Sequence, residues 1–272
     1  MIFVFKVWDK FCKELAQKGI ISITAKQVTE DTKNYLVLKH DVETDVKKAF
    51  EMAKIEHKYN HRSSFYVQAY LLESTKNISL LKEMQNMGHE ISYHYDVMDS
   101  NKGNLEKANL EFSKNKKIFE ENGFSLVTVC QHGNPVVERI GYTSNRDFFR
   151  SDKIQNLHPN ILDIMVNFKD KIPTDYTYFS DAGRKFKMIF DPINNDIIDS
   201  SSMDIPFENL DKLFKVIDNS GRYIISTHPH RWTSSTFIYL FKAIIFKTVR
   251  FVAKILLKIQ FFKRIMSRFY FL

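Results

Sequence analysis

His40, Asp41 and Glu43 follow the apolar run Tyr35-Leu-Val-Leu38, and three further histidines stand at similar positions. His94 closes His89-Glu-Ile-Ser-Tyr-His-Tyr95, His132 follows Leu126 to Cys130, and His228 follows Arg222-Tyr-Ile-Ile-Ser-Thr227. Imidazoles and carboxylates exchange protons near neutral pH and hold borderline divalent ions such as zinc. A single acidic residue after a strand reads as the N-cap of the next helix. Four histidines and two carboxylates, each at or just beyond a strand end, read as a site. If one imidazole and one or two carboxylates hold an ion, a remaining carboxylate is a general base and a remaining histidine a general acid.

The elements that must position these groups follow from periodicity. Tyr35 to Leu38, Ser63 to Val67 and His89 to Tyr95 read as strands, each followed by a helical pattern. Those helices bury Val46, Ala49, Phe50, Ala53 and Tyr59 in the first case, with Thr44 as N-cap, and run from Ile78 to Met87 before Gly88 in the second. The strands begin near residues 35, 62 and 89, a repeat of about 27 that fits a strand plus a crossover helix and therefore parallel strands. A long helix from Leu105 to Glu121 leads to a fourth strand at Leu126 to Cys130. Four consecutive units of this kind predict a parallel (β/α) barrel, in which the carboxyl ends of all strands share one face. A cap helix over residues 4 to 18 precedes the first strand. Residues 136 to 205 predict long loops and short strands, around Ile161 to Phe168 and Tyr176 to Phe179, before a helix at Phe207 to Asp218 and a strand at Arg222 to Thr227.

The 272 residues are 44% hydrophobic, enough for a large α/β domain with a real core. Two cysteines, Cys12 and Cys130, exclude a disulfide framework, and no spacing resembles a zinc ribbon, which fits a reducing compartment. The apolar start, Met1 to Val7, is interrupted by Asp9 and Lys10, so no export signal is read and a cytoplasmic location is expected. The net charge is +8, yet every charged residue after Asp218, ten from Arg222 to Arg268, is basic. The body is thus slightly acidic, and a nucleic-acid partner is not expected.

Lys39-His-Asp-Val-Glu43, Ser64-Phe-Tyr-Val67, Gly88-His-Glu-Ile-Ser-Tyr-His94 and Ser226-Thr-His228 resemble the polysaccharide deacetylase superfamily, metal-dependent carbohydrate esterases that remove acetyl groups from N-acetylated sugars. The order holds over about residues 35 to 232, and Gly-His-Glu-Ile-x-x-His is the most specific piece. A divergent branch of that superfamily is closer still, through His40 to Glu43, His132 to Pro135, Ser180-Asp-Ala-Gly-Arg184 and Ser226 to Trp232. The resemblance implies Asp41 as catalytic base, Glu43 and His94 as metal ligands and His228 as general acid. The family's second ligand histidine, four residues after the first, is Met98 here, and a thioether is a poor zinc ligand. His132 is the candidate replacement. Asp181 and Arg184 fit polar partners of His228 or Asp41, and His40, His230 and Arg231 fit further partners or contacts to a sugar or anionic substrate.

The expectation is a distorted (β/α) barrel over residues 1–232 that hydrolyses an acyl bond on a sugar with a divalent ion, zinc by its donors. The rival is a degenerate barrel that binds carbohydrate or serves as a scaffold. Residues 233–272 form a separate tail. On a helical wheel, Lys242, Lys247, Arg250, Lys254 and Lys258 span roughly 160°, opposite Ile244, Ile245, Val252, Ile255, Leu256 and Ile259. That pattern predicts a helix lying on an anionic membrane surface, on the inner face, since basic residues recur too often for it to span.

Overall fold

The computed structural model describes residues 3–134, 137–168, 175–241 and 244–245. Its strands are β1 (Tyr35–Val42), β2 (Ser63–Val67), β3 (Glu90–Tyr95), β4 (Thr128–Gln131), β5 (Leu162–Asp163), β6 (Thr177–Ser180), β7 (Lys187–Ile189), β8 (Ile205–Pro206) and β9 (Arg222–Thr227). Its helices are α1 (Phe5–Gln17), α2 (Val46–Lys58), α3 (Thr75–Asn86), α4 (Val97–Ser100), α5 (Leu105–Glu121), α6 (Asp147–Arg150), α7 (Asp152–Leu157) and α8 (Leu210–Val216). The sheet runs in the order β5-β4-β3-β2-β1-β9-β6-β7-β8. From β5 to β6 every pairing is parallel, and β7 is antiparallel to both β6 and β8. The result is a distorted, mostly parallel (β/α) barrel.

The pleat sorts the strand residues to two faces. Tyr35 and Val37 of β1, Tyr66 of β2, Cys130 of β4, Tyr178 of β6, Ile189 of β7 and Ile224 of β9 share one buried cluster, so the sheet curls around this inner face. Leu36 and Leu38 point the other way, onto Trp8, Phe11 and Leu15 of α1 and Leu213 of α8. Phe65, Val67, Ile91 and Tyr93 likewise pack outward on α2, α3 and α5. A crossover helix must cover each parallel pair, and the apolar stripes of α2, α3 and α5 do so.

The long, strongly patterned elements lie where periodicity puts them, and the differences are local. The N-cap of α2 is Asp45, whose carboxylate accepts the Lys48 N–H at 3.1 Å, rather than Thr44. α3 begins three residues early, at Thr75, because the Ser74 hydroxyl caps it. It stops where Gly88 takes φ +91°, a left-handed conformation that favours glycine. α8 is shorter than expected, Leu210–Val216, because Asn209 caps it only there. Residues 236–241 and 244–245 are helical, and the rest of the expected C-terminal helix lies outside the described residues. No described helix is long and apolar enough to cross a membrane.

Candidate functional site

The inner face changes character along β1. Beyond Tyr35 and Val37 come Lys39 and Asp41, and Glu43 follows on the same side one step past the strand. Lys39 Nζ donates to both oxygens of Asp41 at 2.6 Å and to Ser226 Oγ at 3.2 Å, all of them buried. Burial opposes ionisation of both partners, but each outweighs it for the other: the Lys39 ammonium stays well above its ordinary range, and Asp41, also facing His94 and His228, stays far below the usual carboxylate range. Sequence pattern alone does not single out this pair, although Lys39 stands two residues before Asp41 and the alternation that puts Asp41 inside puts Lys39 inside too.

β3 and β4 bring in two imidazoles. Register pairs His94 with Cys130, and His94 Nδ1 lies 3.1 Å from the Cys130 carbonyl, which fixes the ring with Nδ1–H donating and leaves the Nε2 lone pair free. His94 is buried, 4.0 Å from Asp41, and burial pushes its pKa down to about 3. His132 follows β4, its N–H bonded to the Tyr95 carbonyl at 2.7 Å, and its Nε2 is 3.4 Å from Glu43 Oε1. Burial opposes charging of His132, yet the Glu43 carboxylate outweighs it and raises the pKa. Glu43, despite burial, is held down to about 2 by His132, His228 and His94. Ligand atoms of Glu43, His94 and His132 all lie within 4.8 Å of one another.

β9 supplies the opposite wall. His228 Nε2 is 3.6 Å from Glu43 Oε1 and 3.9 Å from Asp41 Oδ2. Its Nδ1 meets Asp181 Oδ1 at 2.5 Å, and Asp181 also accepts from Thr227 Oγ1 at 2.7 Å, the His228 N–H at 3.1 Å and Arg231 Nη1 at 2.8 Å. Asp181 is fully buried, and these partners overcome that burial to hold it ionised, down to about 2. An ionised carboxylate at Nδ1 keeps a proton there, so Nε2 is the nitrogen that faces the cavity with exchangeable valence. His230 Nδ1 stands 3.6 Å from Glu43 Oε2 with no hydrogen bond of its own.

Asp41, Glu43, His94, His132 and His228 therefore meet at one end of the barrel, with Asp181 behind His228 and His230 beside Glu43. Arg231 is placed on Asp181 rather than free for a substrate. The side chain of Arg184 lies outside the described residues, as does Pro135. His40 is not brought to the cluster: the pleat that turns Asp41 inward turns His40 outward, where it stacks on Phe65 at 4.4 Å. Its Nε2 comes within 2.9 Å of Glu56 Oε1, but out of line for a hydrogen bond. Met98, in α4, is buried in the outer core. His132 enters instead from the neighbouring strand end.

A cavity of about 380 Å³ opens over these groups, lined by Lys39, Asp41, Glu43, His94, Cys130 and His228 and also by Arg139, Ser144 and Arg146. Among the described residues, two donor sets could hold a metal ion, Glu43–His94–His132 and Asp41–His94–Cys130. In the second, burial keeps the Cys130 thiol protonated, so it offers no thiolate, and the Lys39 ammonium offsets the charge of Asp41. The first set has two imidazoles and one ionised carboxylate, the donors of an open zinc site.

No protein-family model matches the chain, and no curated protein matches it. Among solved structures it is similar to a CE4 esterase from Streptococcus mutans, at 15% identity and TM-score 0.44, covering 86% of this chain and 91% of that one. It is similar also to the catalytic domain of a peptidoglycan N-acetylglucosamine deacetylase from Eubacterium rectale, at 14% and 0.43, covering 82% and 88%. A CE4 family pseudoenzyme from Bacillus anthracis matches at 13% and 0.37, covering 81% and 62%.

Proposed function

We propose that this protein is a metal-dependent hydrolase that removes an acyl group, such as acetyl, from an N- or O-acetylated sugar. The observation that supports it best is the set of separable roles around one cavity. Glu43, His94 and His132 would hold a divalent ion, Asp41 stands beside them as a carboxylate not needed for ligation, and His228 presents Nε2 from the far wall. When bound, such an ion supplies Lewis acidity, easing proton loss from water and drawing charge off an acyl carbonyl oxygen.

The protein's own groups account for the proton traffic. Asp41, kept ionised and fixed by Lys39, takes a proton from the attacking water as that water adds to the acyl carbon. His228 Nε2 gives a proton to the leaving nitrogen or oxygen as the acyl bond breaks, while Asp181 keeps the ring in the orientation that transfer needs. The products are a carboxylate and a free amine or hydroxyl. The cavity has the size of a small-ligand site and suits a sugar unit.

Metal content after exposure to zinc, with release of acetate from an acetylated amino-sugar oligomer, tests the reading. About one ion per chain is expected, lost in His94→Ala together with hydrolysis. Well-folded protein that holds no ion would sink it and leave the second reading, a carbohydrate-binding barrel without catalysis. That reading is favoured by Met98, which leaves the family's second ligand position apolar and buried.

A further inference from the structure

The chain beyond β9 leaves the barrel at the end that carries the site and turns an apolar stripe away from it. Lys18 Nζ donates to the Ile217 carbonyl and Asn219 Nδ2 to the Lys18 carbonyl, so α1 ends where β9 begins. Phe5 and Thr233 are bonded backbone to backbone, as are Thr233 and Phe3, so α1 begins where β9 finishes. The helical segment from residue 236 therefore starts at the rim on which His228 and His230 stand.

Tyr239 holds that segment to the barrel, its ring 6.2 Å from that of Phe3. Phe237, Leu240, Phe241 and Ile245 are 78%, 50%, 58% and 47% exposed. Their spacing, i, i+3, i+4 and i+8, puts them on one helical face, and Tyr239 lies about 160° around from Phe237. A helix that belonged to the core would bury this stripe, whereas here, among the described residues, the ring docked on the barrel comes from the opposite side. Further along the sequence, Lys242, Lys247, Arg250, Lys254 and Lys258 are interspersed with Val252, Ile255, Leu256 and Ile259, and no acidic residue follows Asp218. Apolar side chains flanked by cations and free of anions complement a surface that is apolar inside and negative at its boundary.

We propose that this face seats the protein on an anionic lipid bilayer, which puts the rim of the site at the membrane and makes a sugar carried on a membrane lipid the substrate class. The lipid seat stands independently of catalysis; the substrate class rests on the hydrolase reading.

The test is co-sedimentation of the full-length protein with vesicles of phosphatidylglycerol and phosphatidylcholine, against phosphatidylcholine alone. Binding to the anionic vesicles at low salt, release by salt and a loss of at least about tenfold in F237E/F241E are expected. Both substitutions fall on exposed positions, and retained metal content and melting temperature in the variant show that the barrel is intact. Protein that stays in solution with anionic vesicles overturns the proposal. So does F237E/F241E binding like the parent, or a homodimer that F237E/F241E dissociates while vesicles bind neither form. For the substrate, the zinc-loaded protein is given one N-acetylated sugar either on a lipid in anionic vesicles or as a soluble glycoside. Preference of at least about tenfold for the lipid-borne sugar, lost in F237E/F241E, is expected. Equal rates overturn the substrate class alone. Cleavage of neither, with vesicle binding retained, overturns the hydrolase reading and the substrate class but not the lipid seat.

Discussion

His89 and His61, on the outer side of the sheet, are held in the opposite way to the histidines around the cavity. On the outer side, His89 Nδ1 accepts the Ser63 N–H at 3.1 Å and its Nε2 meets the Ala53 carbonyl at 3.0 Å. His61 is held likewise, between the Ser22 N–H and the Cys12 carbonyl. Each ring is a neutral spacer between backbone groups, with no valence left. On the inner side, His132, His228 and His230 aim nitrogens at the Glu43 carboxylate from 3.4 to 3.6 Å, longer than good charged hydrogen bonds. His94 has one nitrogen committed and one free. The difference teaches that residue type and burial do not separate a structural histidine from a functional one, and that an uncommitted nitrogen facing the cavity does: His89 and His94 are both buried, on one strand region, five residues apart, while His40, with uncommitted nitrogens, faces the outer core.

The strongest way to break that comparison is to exchange the outcomes. His94→Ala or Glu43→Ala should abolish zinc binding and lower hydrolysis by about 10³-fold or more, with the melting temperature of the metal-free protein little changed. His89→Ala should leave metal stoichiometry intact in the folded fraction and cost about 2 kcal/mol in urea unfolding, because two backbone groups lose their partner. If His89→Ala loses the ion and His94→Ala does not, the division between faces is wrong.

Asp41→Asn sharpens the separation between base and ligand. Hydrolysis should fall by about 10²- to 10⁴-fold with zinc content unchanged. The variant should also lose about 3 kcal/mol of stability, since the Lys39 ammonium is left buried without its counter-ion. Lys39→Met added to Asp41→Asn should restore the stability and none of the activity. Loss of the ion in Asp41→Asn would make Asp41 a ligand. Asp181→Asn acts one step further out: kcat should fall by about 10²- to 10⁴-fold, through loss of the Nδ1 partner that orients His228, while KM and metal content hold.

Much of this was legible in the sequence because it is local. α5 and β9 run over the residues that periodicity gives, and the even spacing of the first three units implied the parallel order. Asp41, Glu43, His94 and His228 were visible as strand-end residues. His40 reads as part of the same end because it is adjacent in sequence, where the pleat separates it from Asp41 by the thickness of the sheet. Lys39 was overlooked for the converse reason, since a lysine among apolar residues reads as a strand boundary unless its buried partner two positions on is considered. Residues 136 to 205 resisted because β5, β7 and β8 are two or three residues long, too short to show a period. That region is pinned instead by Asp196, which takes Arg146 and Arg150 from a distant helix. Nothing in local composition announces such a pairing.

The smallest expected effect is on pH dependence. Burial pushes His89 down to about 4, against the usual 6.5 of an unfolded chain. As pH falls below about 6.5 the unfolded state takes up a proton that folded His89 refuses, so its contribution is intact above that value and is lost progressively towards pH 4. His61 is lowered too, and adds to the same limb. Two inner carboxyls work the other way. Burial raises Asp163 to about 6 and lifts Glu90, so the folded state binds their protons first and gains stability as pH drops. The lowered His94 and His230 add to the histidine limb, and Asp41, Glu43 and Asp181, all held low, add further losses at more acid pH, so only a difference between variants isolates His89. In urea unfolding at pH 7 and pH 5, His89→Gln should lose less stability than the parent between the two values, by about 1 to 2 kcal/mol. Parallel losses would mean that His89 is protonated in the fold. Its two backbone bonds would then not be those of a neutral ring, and the contrast with His94 would fail at its simplest point.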